Sequence, residues 1–198
     1  QPAASTLVID NGASGVIAAN GATVLRANSL SNGGTIANAG GPTPADRALT
    51  IELAGSLNNQ AGAYLQAAGD LSATAGGVMT NGGTMEAVNV MSLSAAAIDN
   101  PATGALRAGL IDLQAGRIGN RGLINGGLTL LQAGTVDNAG AGRIYGDHIA
   151  VAAGSLTNRG GGGTDPVIAS RGDLDLAVGS ATNRDGAPDY QESALNRL

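Results

Sequence analysis

Apolar and polar residues alternate in short runs that return in the same order along almost the whole chain. The clearest unit is an apolar residue, any residue and then Asn; eight instances follow one another before a weaker ninth at Ala181-Thr182-Asn183. These units end at Asn11, Asn32, Asn59, Asn81, Asn100, Asn120, Asn138, Asn158 and Asn183. Successive Asn residues are 18 to 27 positions apart. The chain is therefore a tandem repeat.

Each repeat contains two further apolar segments. A short β-like pair, such as Leu123-Ile124, follows most of the Asn residues, and the second residue of the pair lies four to seven positions after the Asn. An alternating run comes next; in one repeat it is Met91, Leu93 and Ala95, with serines between them. Period-two alternation predicts a strand with one buried face, and Gly every few residues disfavours a helix. The pattern predicts three short strands per repeat, separated by turns at Asn-Gly pairs such as Asn81-Gly82.

The length of the repeat selects among the known repeat folds. About 20 residues are too few for a propeller blade, and the Leu pattern is too sparse for a leucine-rich repeat. Three short strands in this length fit one coil of a parallel β-helix, in which coils stack about 4.8 Å apart and equivalent residues form columns. The sequence therefore predicts an all-β fold, a parallel β-helix (solenoid) of about nine coils of roughly 20 residues.

Three places interrupt the repeat within the predicted β-helix, which spans residues 1–183. Residues 40–47 and 160–166 are Gly- and Pro-rich insertions and are predicted to form loops that leave the rod. The alternating run at 48–54 is one residue out of phase with later repeats, which predicts a bulge or a turn adjustment there. Residues 184–198 lose the pattern and become polar, so we interpret them as a tail or a partial cap.

The composition agrees with this fold and excludes several classes of protein. The chain is 43% hydrophobic but only 2% aromatic, as expected for a narrow interior filled by Val, Ile, Leu and Ala. The net charge of −5 and ten scattered Arg residues argue against a nucleic-acid partner. Without Cys there is no disulfide, thiolate nucleophile or cysteine zinc site. No apolar run is long enough for a membrane-spanning helix, so we expect no membrane insertion.

The nine recurring Asn residues are interpreted as a structural ladder. One Asn per coil would place the amides in a column, where they satisfy one another and the adjacent turn. A ligand-binding row is the alternative. Because an Asn occurs in every repeat, we favour the structural role.

These units resemble the filamentous-haemagglutinin repeats of large two-partner-secreted exoproteins of Gram-negative bacteria, a family of adhesins and contact-dependent growth inhibition effectors. The family unit reads approximately Leu-x-Asn-x-x-Gly-x-Ile-x-Ala-x-Gly-Asp-Leu-x-Leu-x-Ala-Gly. Residues 57–75 and 156–179 follow it with a few slips, residues 118–134 follow it without Gly-Asp, and the resemblance covers residues 6–183. It implies a right-handed β-helix serving as a cell-surface stalk, which an outer-membrane two-partner-secretion transporter exports. Absence of Cys suits that route. Because Asn100-Pro101-Ala102 does not match the family's Asn-Pro-Asn motif, we interpret the chain as an interior stalk fragment lacking the export domain and any C-terminal toxin.

One tripeptide is a candidate receptor contact. Arg171, Gly172 and Asp173 form the sequence that integrins bind through paired charges on a protruding loop. Gly-Asp is also an ordinary repeat position, at Gly69-Asp70 and Gly146-Asp147, so a structural origin competes with this interpretation.

Catalytic, metal and cofactor sites are not predicted. His148 is the only histidine and has no recognisable triad or metal partners in the sequence. A polysaccharide-binding or polysaccharide-cleaving β-helix is the alternative function, and it would need paired carboxylates such as Asp112 and Asp175. Leu130 and Ala150 fall between these two in the same column and break an acidic patch.

The sequence therefore predicts a non-catalytic stalk or adhesive segment, without cofactors, of a secreted virulence-associated protein on the surface of a Gram-negative bacterium. The insertions and the outward strand faces are the expected contact surfaces for a receptor on host or neighbouring bacterial cells.

Overall fold

The computed structural model describes residues 6–160 and 164–184, which form seventeen strands and one short 3-10 helix. The strands are β1 (Val8–Asn11), β2 (Val16–Ala19), β3 (Thr23–Ala27), β4 (Ser29–Asn32), β5 (Thr35–Asn38), β6 (Leu49–Leu53), β7 (Leu57–Asn59), β8 (Tyr64–Ala67), β9 (Leu71–Asn81), β10 (Thr84–Ala87), β11 (Val90–Asn100), β12 (Ala105–Asn120), β13 (Leu123–Ala139), β14 (Arg143–Gly146), β15 (His148–Arg159), β16 (Val167–Ser170) and β17 (Leu174–Arg184). The helix, Ala45–Arg47, lies between β5 and β6. No helix among these residues is long and apolar enough to cross a membrane.

The strands wind into a right-handed parallel β-helix, which confirms the predicted fold class. Each pairing between them is parallel and joins one coil to the next: β1 pairs with β4, β2 with β5 and β3 with β6. We call the segments that end in the recurring Asn the first face, those that follow the second face, and the alternating runs the third face. The described residues make eight complete turns and the opening segment of a ninth. At about 4.8 Å per turn, the rod is about 40 Å long.

The interior is a stack of aliphatic columns. On the first face, Leu57 pairs with Met79, Met79 with Ile98 and Ile98 with Ile118, and all four side chains are buried. Each column repeats one inward position of the period-two pattern, so a small aliphatic side chain in every turn is enough to fill the lumen. Scarcity of aromatic residues is therefore a property of this narrow core.

Later turns differ from the predicted pattern of three separate short strands. From β9 onward, all strands except β10, β14 and β16 continue around a corner, and β12 and β13 are 16 and 17 residues long. The corner between the third and first faces carries Gly116, Gly134, Gly154 and Gly179. A Cβ on Gly134 would lie 2.8 Å from the carbonyl oxygen of Gly116 in the preceding turn. Glycine lets the coils approach closely enough to keep the ladder of hydrogen bonds through the bend.

The phase change at residues 48–54 is absorbed in the loop before β6. Leu49, Ile51 and Leu53 pair in unbroken register with Leu71, Ala73 and Ala75 of the next coil, so β6 contains no bulge. The extra residues lie in the insertion before β6, where Pro42, Thr43 and Pro44 are exposed.

The second insertion and the tail are described only in part. Residues 161–163 lie outside the described residues, Thr164 and Asp165 are exposed, and Pro166 is buried. β17 runs to Arg184, which pairs with Arg159, so the strand includes the first residue assigned to the predicted tail. Residues 185–198 lie outside the described residues.

Candidate functional site

The nine recurring Asn side chains form one continuous chain of hydrogen bonds along the rod. The Nδ2 of each of the first eight donates to the Oδ1 of the Asn in the next turn, over donor–acceptor distances of 2.7 to 3.0 Å. The order of donors and acceptors is Asn11, Asn32, Asn59, Asn81, Asn100, Asn120, Asn138, Asn158 and Asn183. We call this chain the amide ladder.

The amide ladder also binds the turns between the first and second faces. Asn32 Nδ2 donates a second hydrogen bond to the carbonyl oxygen of Tyr64 at 3.0 Å, and Asn81 Nδ2 does the same to Ala105 at 3.1 Å. A primary amide has two N–H donors, so both are used. The ladder residues from Asn11 to Asn138 are buried, Asn158 is half-buried and Asn183 is exposed. Burial and full pairing leave the central amides no free polar atom with which to contact a ligand.

The first insertion is tied to the rod by Asn38, a residue that the repeat pattern did not identify. Asn38 is 1% exposed and pairs with Ala67, in an inward position where Ala19 is its partner on the other side. Its Nδ2 lies 2.5 Å from the carbonyl oxygen of Gly21, and it also contacts carbonyl oxygens at the end of the loop. The available sequence signal is a polar residue at a position that Ala holds in the turns on either side.

The exposed part of the insertion has an ordered conformation. The Thr43 hydroxyl donates to the Asp46 carboxylate at 2.7 Å, and the Thr43 backbone N–H donates at 3.1 Å. These hydrogen bonds, with that of the hydroxyl as the larger cause, hold the pKa of Asp46 below its ordinary value. Arg47 Nε donates to the carbonyl oxygen of Gly41 at 3.1 Å and closes the base of the loop. The loop therefore presents a preformed surface.

The Arg171-Gly172-Asp173 tripeptide lies flat against the preceding turn. The backbone N–H groups of Arg171 and Gly172 donate to the carbonyl oxygens of Gly146 and Asp147 at 3.0 and 2.7 Å. The Arg171 guanidinium is paired with the Asp147 carboxylate. A receptor would have to replace that ion pair, so the geometry does not favour integrin-type binding, which stays a prediction.

His148 lies beside the same tripeptide. Its Nδ1 is 3.4 Å from the Asp173 carboxylate and 3.4 Å from the Asp173 backbone nitrogen. Both side chains are largely exposed, and no group of three or more metal-ligating side chains occurs in the described part of the chain.

The carboxylates that a glycosidase would need are separated by the register. Asp112 pairs with Leu130, Leu130 with Ala150 and Ala150 with Asp175. Three coil steps place the two Asp residues about 14 Å apart along the rod. Carboxylates in glycosidases lie about 5 to 9.5 Å apart, so this pair does not form such a site.

The fold and its amide ladder define a class of protein, the parallel β-helix with a fully packed structural interior. The haemagglutinin repeat family model matches residues 4–43 and 45–187, so the chain belongs to the haemagglutinin repeat family. This is a family of filamentous, secreted or cell-surface adhesins that are typically non-enzymatic. No curated protein and no solved structure matches the chain in the corresponding comparisons.

Proposed function

We propose that this chain is a non-catalytic stalk segment of a secreted, cell-surface adhesive filament of a Gram-negative bacterium, and that it contacts host or neighbouring bacterial cells through its outer surface. The observation that carries the proposal is the division between a fully paired interior and an exterior that changes from turn to turn. A rod of stacked coils holds its surface at a fixed distance and orientation, as a stalk must.

The first insertion is the proposed adhesive element outside the repeat. Its exposed prolines and its internal hydrogen bonds mean that little ordering entropy is lost when a partner binds. Asn38, at the base of the loop, stands at an inward position and donates hydrogen bonds that hold the loop in place. A segment that served only as a spacer would not need an ordered loop.

A loop exchange tests this role. β5 and β6 are joined by residues 39–48, whereas β8 and β9, one turn later, are joined only by residues 68–70. Because Asn38 pairs with Ala67 and Leu49 with Leu71, the shorter connection together with Asn38→Ala should fit in register. We expect this variant to stay folded and to lose attachment of cells to the immobilised rod. Glu86→Ala, an exposed change on the second face, is the matched control. Equal attachment by the exchanged and original rods would show that the loop is not adhesive.

Export through an outer-membrane two-partner-secretion transporter is the proposed route to the surface, and an effector of contact-dependent growth inhibition is one fitting parent protein. Antibodies against residues 6–160 should label intact producing bacteria. Deletion of the partner transporter should abolish that labelling and retain the protein in the periplasm. Unchanged surface labelling would refute the route.

The proposed segment is non-catalytic, so incubation of the rod with a panel of polysaccharides should give no turnover.

A further inference from the structure

We propose that a pocket on the second face, beside Tyr145, binds a neutral pyranose unit of a cell-surface glycan. The inference rests on the proposed adhesive function and names its ligand class. The pocket has a volume of about 330 Å³ and is lined by Asn125, Tyr145, Gly146, Ala169, Ser170 and Arg171, all within the described residues.

The register creates the pocket. Asn125 pairs with Tyr145, and Tyr145 pairs with Ala169, so the three side chains occupy one outward column in three successive turns. Tyr145 is half-buried, and its neighbour Ala169 has only a methyl group. A large side chain followed by a small one in a column leaves a step beside the phenol ring, and this step is one coil spacing, about 4.8 Å, wide along the rod. Ser170 and Arg171 follow Ala169 and form the wall of this step.

The polar groups around the ring suit the rim of a sugar. The Asn125 amide offers two hydrogen-bond donors and an acceptor, and the Tyr145 hydroxyl can donate or accept a hydrogen bond. The Arg171 guanidinium has N–H donors beyond the one paired with Asp147. The Ser170 hydroxyl donates to the Asp147 carbonyl oxygen at 2.9 Å, which leaves its oxygen able to accept. A pyranose has an apolar face of C–H groups and a rim of hydroxyls. An aromatic ring flanked by an amide, a hydroxyl and a guanidinium matches both features.

The charges nearby favour a neutral sugar over an acidic one. The pocket's only cation, Arg171, is already paired with Asp147. A second carboxylate, Asp173, follows two residues later and is highly exposed. An added sugar carboxylate would find no unpaired cation among the residues that line the pocket.

The amino-acid composition supplies a direct probe. The chain has no Trp and no Phe, and its three tyrosines are Tyr64, Tyr145 and Tyr190. In a variant carrying Tyr64→Phe and Tyr190→Phe, Tyr145 is the only strong fluorophore. Methyl glycosides of glucose, galactose and N-acetylglucosamine, and N-acetylneuraminic acid as the acidic probe, would each be titrated against its emission.

We expect at least one neutral glycoside to change the emission saturably. Ala169→Leu, which fills the step without removing a polar group, and Asn125→Ala should each raise the Kd at least about tenfold. Gln66→Ala removes an exposed amide from the same column, three turns from Asn125 and four from Tyr145, and should leave the Kd unchanged. Circular dichroism would confirm that each variant retains the fold.

Three outcomes would overturn the site. These are no response to any neutral glycoside, a response to N-acetylneuraminic acid alone, or equal Kd values for the Ala169→Leu and Gln66→Ala variants. Cell attachment by the same rods separates this inference from the proposed function. Attachment without sugar binding would refute the pocket and leave the adhesive role standing. Sugar binding without attachment would support the pocket and refute the adhesive role.

Discussion

The amide ladder and the outward column of the second face have the same spacing along the rod but opposite sequence behaviour. The ladder repeats Asn in every turn, whereas the outward column reads Gln66, Glu86, Arg107, Asn125, Tyr145 and Ala169. An inward amide must match the amides above and below it, because a buried polar group without a partner is costly. An outward side chain meets water and carries no such requirement. The difference indicates that the inside of each turn is constrained by its neighbours and that the outside is free to acquire contacts.

The largest effect should come from breaking the ladder in its middle. Asn100→Ala removes the acceptor of the Asn81 amide and the donor to both Asn120 and the carbonyl oxygen of Leu123. With buried groups left unpaired on both sides, we expect a loss of roughly 3 kcal/mol or more in the free energy of unfolding, measured by urea denaturation. The outward Glu86→Ala should change it by less than about 0.5 kcal/mol. Similar losses for the two variants would remove the distinction between the columns.

A corner glycine should be nearly as sensitive as a ladder residue. A Cβ on Gly122 would lie 2.2 Å from the carbonyl oxygen of Gly104 and 2.4 Å from that of Pro101, both backbone atoms of the preceding turn. Gly122→Ala should therefore force the turns apart and cost about 2 to 3 kcal/mol in thermal or urea unfolding. Gly12→Ala is the control, because its Cβ would have no atom within 4 Å. The predicted close approach would be contradicted if Gly122→Ala left the stability to unfolding unchanged while Gly12→Ala lowered it.

Asn38 is an inward residue whose hydrogen bonds hold an exposed loop, and its substitution should have a smaller effect. Asn38→Ala restores the residue found at Ala19 and Ala67, so the core should accommodate it, but the loop loses the hydrogen bonds at its base. We expect a loss of about 1 to 2 kcal/mol. Cleavage of residues 40–47 in limited proteolysis should become faster while the rest of the rod stays resistant. Unchanged cleavage would show that other contacts hold the loop.

The smallest expected effect is a pH dependence confined to the first insertion. The folded-state pKa of Asp46 is lowered by its bonds from Thr43, so its contribution to loop stability is present above the unfolded pKa and is lost as the pH falls through the folded value. NMR titration of the Asp46 carboxyl should show the lowered pKa, and Thr43→Val, which removes the hydroxyl bond, should raise it. A titration that Thr43→Val leaves unchanged would contradict the assignment of the cause.

The inward half of the molecule could be predicted from the sequence and much of the outward half could not. The Asn period and the alternating runs predicted the coils and the residues of the ladder, because stacking forces equivalent positions into one column. Asn38 departs from the repeat, and its role depends on where the inserted loop returns to the rod. The Tyr145 pocket depends on the pairing of Tyr145 with Ala169 across the second insertion, where the spacing between turns changes. Register, and not local sequence, brings those residues together.

Hydrogen exchange of the Asn side-chain amides, followed by NMR, tests the central claim that the ladder is buried and fully paired through the middle of the rod. The account predicts strong protection of the Nδ2 groups of the central members, from Asn32 to Asn120, and rapid exchange at Asn125 on the outward column and at the exposed Asn183. Central ladder amides that exchange as fast as those of Asn125 and Asn183 would contradict it.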